Sequence, residues 1–178
     1  MDTRTNSDLI EKQKVSANRV AIIGASGYGG LQTVRLLSEH PYFKISFLGG
    51  YRSAGKHWNE IAPFLPIENN PLIEKIDSME ISERADYALL SLPNGMASQI
   101  APSLLGKNVR VLDLSADYRF HSLDLWRQTY FKEANTFIRN DDELCSEAIY
   151  GLTEWNSNKI SLARLVSCPG CYPTASLL

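Results

Sequence analysis

The stretch RVAIIGASGYGG, residues 19–30, decides the fold. Its first five residues form a short run with high β propensity, which predicts the first strand over residues 19–23. The glycines that follow lead directly into residues 31–37, where Leu31, Val34, Leu36 and Leu37 are spaced as on one face of a helix. A glycine motif between a strand and a helix is the context that indicates a phosphate-binding turn for a dinucleotide.

Each glycine of this turn has a distinct predicted role. Gly24 permits the tight turn, Gly27 allows a pyrophosphate to approach the backbone, and Gly30 lets the helix pack closely on the strand. The helix N-terminus offers free N–H groups and the positive end of its dipole to phosphate. The spacing G-x-x-G-x-x-G differs from the commoner G-x-G-x-x-G, so a plain flexible loop is the alternative. The predicted cofactor contacts of the turn are Gly24, Ser26, Gly27, Tyr28, Gly29 and Gly30.

Further apolar runs continue the alternation of strands and helices. We expect strands at residues 43–48, 87–92, 109–114 and 163–167, a helix at 96–105 and a covering helix within 118–140. Apolar strands separated by helices are typical of a parallel sheet that is covered on both faces. The sequence therefore predicts an α/β fold with a Rossmann-like, doubly wound, mostly parallel sheet in residues 19–170. Residues 1–18 are polar and are predicted to be a disordered leader.

Composition excludes several classes of partner. A net charge of −2 gives no electrostatic reason to expect nucleic acid or an anionic membrane. No apolar run approaches the roughly 20 residues that cross a bilayer. The three cysteines, an odd and sparse set, argue against a disulfide framework and for a reducing compartment. We expect the cytoplasm, with the plastid stroma as the alternative.

The end of the second predicted strand favours NADP over NAD. NAD sites place an acid about 20 residues after the glycine turn, but residues 48–53 read Leu-Gly-Gly-Tyr-Arg-Ser. Arg52 and Ser53 suit a 2′-phosphate, unless Arg52 is an ordinary solvated arginine. Ser91, Leu92 and Pro93 end a later strand and are expected to contact the nicotinamide half, although Pro-Asn-Gly is also common turn chemistry.

The segment Cys168-Pro169-Gly170-Cys171 places Cys171 at the start of a predicted helix. A thiol at a helix N-terminus has a lowered pKa, so it forms a nucleophilic thiolate more easily. The free N–H groups at that helix start can also stabilise an oxyanion. Beside a nicotinamide cofactor, this predicts thiolate attack on an activated acyl group and reduction of the thioester to an aldehyde. Three alternatives remain: an inert buried Cys171, a redox pair with Cys168, and a zinc site, for which further ligands are lacking. Cys145 lies in an acidic stretch that is expected to raise its pKa, and we interpret it as structural.

Four ordered motifs resemble the N-acetyl-gamma-glutamyl-phosphate reductase family: GASGYGG at 24–30, DLSADYR at 113–119, YGLTE at 150–154 and PGCYPT at 169–174. The resemblance implies that Cys171 attacks an acyl phosphate and that the glycine turn, Arg52 and Ser53 hold NADP. It also implies that Ser115 and Arg119 bind the substrate. Asp113 and Asp117 are interpreted as structural residues that cap and brace loops. No metal site is expected.

This sequence departs from the family pattern in two ways. Cys168 stands where the family often has Asn, and the family's acid/base histidine lies far downstream of the nucleophile. His40, His57 and His121 sit in other contexts. We therefore expect residues 171–178 to begin a second, α+β domain, with little turnover from this chain alone and a homo-oligomer at full length. The alternatives are a non-catalytic NADP-binding or regulatory module and an aspartate-semialdehyde dehydrogenase.

Overall fold

The computed structural model describes residues 18–130 and 139–178. Within them, six strands form one sheet in the spatial order β2-β1-β3-β4-β6-β5, and every neighbouring pair is parallel. The predicted doubly wound parallel sheet is confirmed. The strands are β1 Asn18–Ile23, β2 Phe43–Gly49, β3 Tyr87–Leu90, β4 Arg110–Asp113, β5 Ile149–Tyr150 and β6 Leu165–Ser167.

Eight helices connect these strands in the described part of the chain. They are α1 Tyr28–Leu37, α2 Trp58–Ile61, α3 Ser78–Arg84, α4 Ala97–Gly106, α5 Leu123–Tyr130, α6 Asp142–Glu147, α7 Thr153–Leu162 and α8 Cys171–Leu177. The sequence located α1, α4, α5 and the start of α8 but missed α2, α3, α6, α7 and the short strand β5. Residues 1–17 of the predicted leader and residues 131–138 lie outside the described residues, and β1 begins at Asn18.

The sheet is buried on both faces, as the apolar strands predict. One face presents Ala21, Ile23 and Leu90 to a core that includes Ile81 of α3 and Leu104 of α4. The opposite face forms a second core, whose members include Val20 and Ile22 of β1, Val34 of α1 and Trp58 of α2. Helices therefore lie on both faces and fix the strand ends in place.

The chain reverses its direction of winding at β1. It passes from β1 to β2 on one side and then crosses to β3 on the other, so β1 lies between β2 and β3. In open parallel sheets, ligands bind beyond the carboxyl ends of the strands at such a switch point. The turn after β1 and the loop after β3 both border this crevice.

Two cavities lie elsewhere on the domain. One of about 830 Å³ borders the edge strand β2 and includes Phe43, Lys44 and Leu72 in its lining. The other, an apolar groove of about 470 Å³, runs between α1 and α7 over the sheet. Neither is lined by the glycine turn or the cysteine turn, so volume alone does not locate the predicted site. No helix of the described residues has the length and apolarity to cross a membrane.

Replacement of Gly30 by alanine should destabilise the fold. A Cβ at Gly30 would collide with the carbonyl oxygen of Gly24 and lie 2.7 Å from the Cα of Ala25. Overpacking against rigid backbone costs about 2 kcal/mol or more, which urea unfolding would measure. Gly106→Ala is the matched control, because no atom lies within 4 Å of its Cβ position. It should gain about 0.5 kcal/mol from helix propensity. Equal stability of the two variants would contradict the predicted helix–strand contact.

Candidate cofactor and cysteine site

Backbone contacts with the ends of β2 and β3 fix the turn between β1 and α1. Gly24 has φ of +82°, and a Cβ there would collide with the carbonyl oxygen of Ser91. The N–H groups of Gly24 and Ala25 both donate to the carbonyl of Gly49, at 2.9 and 3.2 Å.

No side chain caps α1 at its N-cap Gly27, and its first turn carries no acid. The first N–H groups of α1 therefore have no competing side-chain acceptor at the cap.

The glycine turn packs directly on the loop after β3. A Cβ at Gly29 would lie 2.6 Å from the Oγ of Ser91, and Ser91 N–H donates to the carbonyl of Ile23 at 2.8 Å. Leu92 is buried beside them, whereas Pro93 is exposed. Tyr28, the first residue of α1, is 93% exposed. The predicted phosphate and nicotinamide contacts therefore share one crevice.

A hydroxyl pair joins the glycine turn to the loop after β2. The Oγ atoms of Ser26 and Ser53 lie 2.9 Å apart, and Ser53 is almost fully buried. A Cβ at Gly50 would displace the Ser53 Oγ from its present position and would lie 2.9 Å from the Cγ2 of Ile73. Arg52 is exposed beside this pair and has no hydrogen bond to another described residue. The loop thus offers a free guanidinium next to the glycine turn, and residues 49–56 contain no acid.

The loop after β4 begins with a buried carboxylate. Asp113 accepts the N–H of Ser115 at 2.8 Å through Oδ1, while its buried Oδ2 has no partner among the described residues. Burial is the main reason that the pKa of Asp113 is raised to about 6. Ser115 is also buried, and its Oγ accepts the N–H of Asp117 at 3.2 Å. These are loop hydrogen bonds of the kind that the structural interpretation of Asp113 and Asp117 expects, and that interpretation stays a prediction.

Arg119 links the loop after β4 to the cysteine turn. Its Nε donates to the carbonyl of Cys168 at 3.0 Å, and its Nη2 donates to the carbonyl of Leu114 at 3.3 Å. Its Nη1 lies 3.3 Å from the position that a Cβ of Gly170 would take. One end of this half-buried guanidinium therefore stays beside the residue that precedes Cys171.

Cys171 is the first residue of α8 and is exposed. Gly170 is the N-cap in an extended conformation, and no side chain caps the helix there. Thr174 donates both its N–H and its hydroxyl to the carbonyl of Gly170, at 3.1 and 2.9 Å, which fixes the first turn. The alternative of a buried Cys171 is wrong for the described residues, and the reactivity of its thiol stays a prediction.

The other two cysteines are poor nucleophiles. Burial raises the pKa of both Cys145 and Cys168 to about 11. For Cys145, burial raises the pKa more than the acidic neighbours do, although the sequence suggested those neighbours as the cause. Both cysteines of the C-x-x-C pair are free thiols, Cys168 half-buried and Cys171 exposed, and the redox pair stays an alternative.

Within residues 18–130 and 139–178, no group of three or more histidine, cysteine, aspartate or glutamate side chains is arranged to hold a metal ion. His40 Nδ1 accepts the N–H of Tyr42, His57 Nδ1 contacts the carbonyl of Asn70, and His121 Nδ1 contacts that of Cys145. These contacts fix one ring nitrogen of each histidine, and the expectation that none of them serves as the base stays a prediction.

The motif at residues 150–154 supports the cysteine strand. A Cβ at Gly151 would lie 2.9 Å from the Cγ1 of Val166 and 3.1 Å from the carbonyl oxygen of Ser167, so β5 and β6 pack closely there. Tyr150 accepts the side-chain amide of Asn156 at its carbonyl, and Glu154 is exposed. This motif therefore packs against β6, the strand that leads to the cysteine turn.

Sequence analysis missed Arg139, a buried cation behind the site. Its guanidinium forms a two-pronged pair with Asp141, at 2.9 and 2.8 Å, and donates to the carbonyl of Asp117 at 2.7 Å. The guanidinium carbon lies 4.3 Å from the ring centre of Trp126 and 5.0 Å from that of Tyr118. No local pattern marks this residue, because its partners come from separate segments.

The parallel sheet with a glycine turn at its switch point defines a dinucleotide-binding domain of the Rossmann type. The chain belongs to the semialdehyde dehydrogenase family: residues 19–163 match the family model described as "Semialdehyde dehydrogenase, NAD binding domain". This match gives a nicotinamide dinucleotide as the class of cofactor.

Curated relatives confirm the resemblance seen in the four motifs. The chain is 58% identical over 163 residues to an N-acetyl-gamma-glutamyl-phosphate reductase of Prochlorococcus marinus strain MIT 9211. It is 60% identical over 166 residues to the protein of that name from strain NATL1A. These matches cover 92% and 93% of this chain but 45% and 46% of the relatives. The chain thus spans about half the length of the relatives that it matches.

Solved structures support the fold. Aspartate semialdehyde dehydrogenase II of Vibrio cholerae, complexed with ASA, gives a TM-score of 0.62 at 20% identity and covers 90% of this chain and 44% of its own. Aspartate semialdehyde dehydrogenase of Candida albicans, with NADP, gives 0.59 at 18% identity, with coverage of 89% and 44%. At these identities the likeness establishes the shared fold alone.

A thiol-alkylating reagent at pH 7.5 should modify Cys171 first. With pKa values near 11, Cys145 and Cys168 are ionised to less than about one part in a thousand at that pH. Peptide mass spectrometry after brief iodoacetamide treatment would locate the label. Cys171→Ser should remove the rapid phase, and the remaining labelling should accelerate as the pH rises toward 11. Rapid labelling of Cys168 in the folded protein would contradict this assignment.

Proposed function

We propose that this chain is the cofactor-binding part of an NADPH-dependent reductase. The enzyme would convert N-acetyl-5-glutamyl phosphate to N-acetylglutamate 5-semialdehyde and phosphate, a step of arginine biosynthesis. The observation that carries the proposal is the exposed Cys171, which begins a helix at the same sheet edge as the glycine turn. The names and 58–60% identity of the curated relatives support the choice of substrate.

Cys171 is the proposed nucleophile. Its thiolate attacks the acyl carbon, the carbon–oxygen bond to phosphate breaks, and a thioester remains on Cys171. The dinucleotide, if held by the glycine turn, Arg52 and Ser53, would supply the hydride that reduces this thioester; the C–S bond would then break to give the aldehyde and return the thiolate to Cys171. The free N–H groups at the start of α8 are suited to stabilise the oxyanion that forms on the acyl oxygen in both steps.

Arg119 and Ser115 are the proposed substrate contacts. Two donors of Arg119 are already used on carbonyl groups, but Nη1 beside Gly170 remains available for the phosphate that leaves. Such a cation stabilises the charge that develops on the leaving group. Ser115 Oγ accepts the N–H of Asp117, and its side chain also hydrogen-bonds the Asp113 carboxylate. A substrate that accepts the Ser115 hydroxyl hydrogen would therefore replace Asp113 as its partner.

The proposed cofactor site fits a dinucleotide at both of its phosphate groups. The uncapped start of α1, with glycines where side chains would obstruct, suits the pyrophosphate. Arg52 and Ser53 suit the 2′-phosphate of NADP, and the absence of an acid in residues 49–56 removes the usual ribose contact of NAD sites. Ser91, Leu92 and Pro93 border the nicotinamide end of the same crevice.

The remaining parts of the enzyme are proposed to lie in the half that the longer relatives possess. The resemblance places the acid/base histidine downstream of Cys171, so we propose that the general acid/base comes from a second, α+β domain. We propose a homo-oligomer of the full-length polypeptide in a reducing compartment, the cytoplasm or a plastid stroma. The three free cysteines are compatible with such a compartment.

Arg52→Ala should weaken selection for NADP over NAD. An arginine–phosphate contact contributes about 1.5–3 kcal/mol, so the ratio of the two dissociation constants should fall about ten- to a hundredfold. NADPH and NADH titrations, followed by nucleotide fluorescence, measure this ratio. Lys56→Ala removes another exposed cation of the same loop and should leave the ratio unchanged. An Arg52→Ala protein with unaltered preference would contradict the assignment of Arg52.

Cys171→Ser should abolish turnover in the full-length polypeptide without loss of NADPH binding. A serine hydroxyl is a far weaker nucleophile than a thiolate, so kcat should fall at least about a thousandfold. The assay follows NADPH oxidation with N-acetylglutamyl phosphate, and aspartyl phosphate serves as the competing substrate. Equal rates in wild type and Cys171→Ser would contradict the covalent mechanism. A preference for aspartyl phosphate would instead favour an aspartate-semialdehyde dehydrogenase.

A further inference from the structure

Asp117 uses all of its polar groups to join separate loops. Its N–H donates to Ser115 Oγ at 3.2 Å, and its carbonyl accepts from Arg139 at 2.7 Å. Its Oδ1 accepts the N–H of Gly95 at 2.6 Å, and its Oδ2 accepts that of Ser98 at 2.9 Å. The residue is fully buried, so these bonds face no competition from water.

These bonds connect the two loops on which cofactor and substrate are proposed to bind. Gly95 and Ser98 follow the proposed nicotinamide contacts after β3, while Ser115 follows β4. A second bond runs parallel to them: the Oδ1 of Asn94 accepts the N–H of Ala116 at 3.1 Å. Arg139, which belongs to a third segment of the chain, donates a hydrogen bond to the carbonyl of Asp117. The loops after β3 and β4 are therefore tied at several points.

A simple helix cap does not require this arrangement. Asp77 caps α3 from its own N-cap position by accepting the N–H groups of Met79 and Glu80, at 2.8 and 3.0 Å. The N-cap of α4, Met96, makes no side-chain cap, and the carboxylate comes instead from Asp117 on another loop. Because the capping carboxylate of Asp117 belongs to a neighbouring loop, it stabilises α4 and also fixes the loop after β4 relative to the loop after β3.

We propose that Asp117 is a positioning residue that couples the cofactor loop after β3 to the substrate loop after β4. It orients the Ser115 hydroxyl through its own N–H and fixes the backbone after Pro93 through its carboxylate. The inference rests on the proposed function, because it concerns the loops on which that function places cofactor and substrate.

The test compares Asp117→Asn with Asp77→Asn in the full-length polypeptide. Asparagine keeps one acceptor oxygen but presents an NH₂ group to the second N–H donor, so each variant loses part of its cap. Both should lower the thermal midpoint. Asp117→Asn should also raise the dissociation constant of NADPH and the KM for the acyl phosphate about tenfold, as expected for one lost charge-assisted hydrogen bond. Asp77→Asn should change neither by more than about twofold. Unchanged constants in Asp117→Asn, with only a lower midpoint, would overturn the proposal.

Asn94 provides a second test if Asp117→Asn does not fold, because Asn94 is exposed. Asn94→Ala should raise both constants about threefold, and Asn94→Asp, which retains the acceptor for Ala116, should restore them. Failure of Asn94→Asp to restore them, or no effect of Asn94→Ala, would count against coupling between the loops. Cofactor binding and turnover by the wild type test the proposed function separately. If the wild type binds no NADPH, the proposed function fails, whatever the variants do.

Discussion

The carbonyl oxygen of Ser91 occupies the space in which a side chain of residue 24 would stand. Only glycine at positive φ lets β1 turn there while the loop after β3 remains in contact with it. Gly30 is under a similar steric constraint, because a Cβ there would collide with the carbonyl oxygen of Gly24. These contacts place an uncapped helix start at the switch point of the sheet, and the proposed pyrophosphate contacts depend on that position.

Parallel strands bring the other reactive groups to the same edge. Because β1, β3, β4 and β6 are successive neighbours, three strand spacings of about 4.8 Å separate the glycine turn from the cysteine turn, or about 14 Å. Hydrogen bonds link the loops across this interval: Asp117 binds the loop after β3, and Arg119 binds the carbonyl of Cys168. The groups proposed for cofactor, substrate and nucleophile are thus parts of one connected edge.

The sequence predicted those elements whose signals are local. Strands β1 to β4 read as apolar runs, the glycines marked the turn, and Gly170 before Cys171 marked a helix start. It did not predict α2, α3 and α6, which are short and bury few residues. Nor did it reveal Arg139 or the connections made by Asp117, because those depend on segments that meet only after folding. The acidic residues near Cys145 predicted that its pKa is raised, and it is. The main cause is burial of the thiol, which the local sequence does not reveal.

A crystal structure of the full-length polypeptide with NADPH would test the central claim most directly. The account predicts pyrophosphate oxygens within about 3 Å of the first N–H groups of α1. It also predicts that the nicotinamide ring lies between Ser91 and Cys171, with the thiol on its reactive side. A dinucleotide bound away from α1, or a nicotinamide ring out of reach of the Cys171 sulfur, would contradict the account.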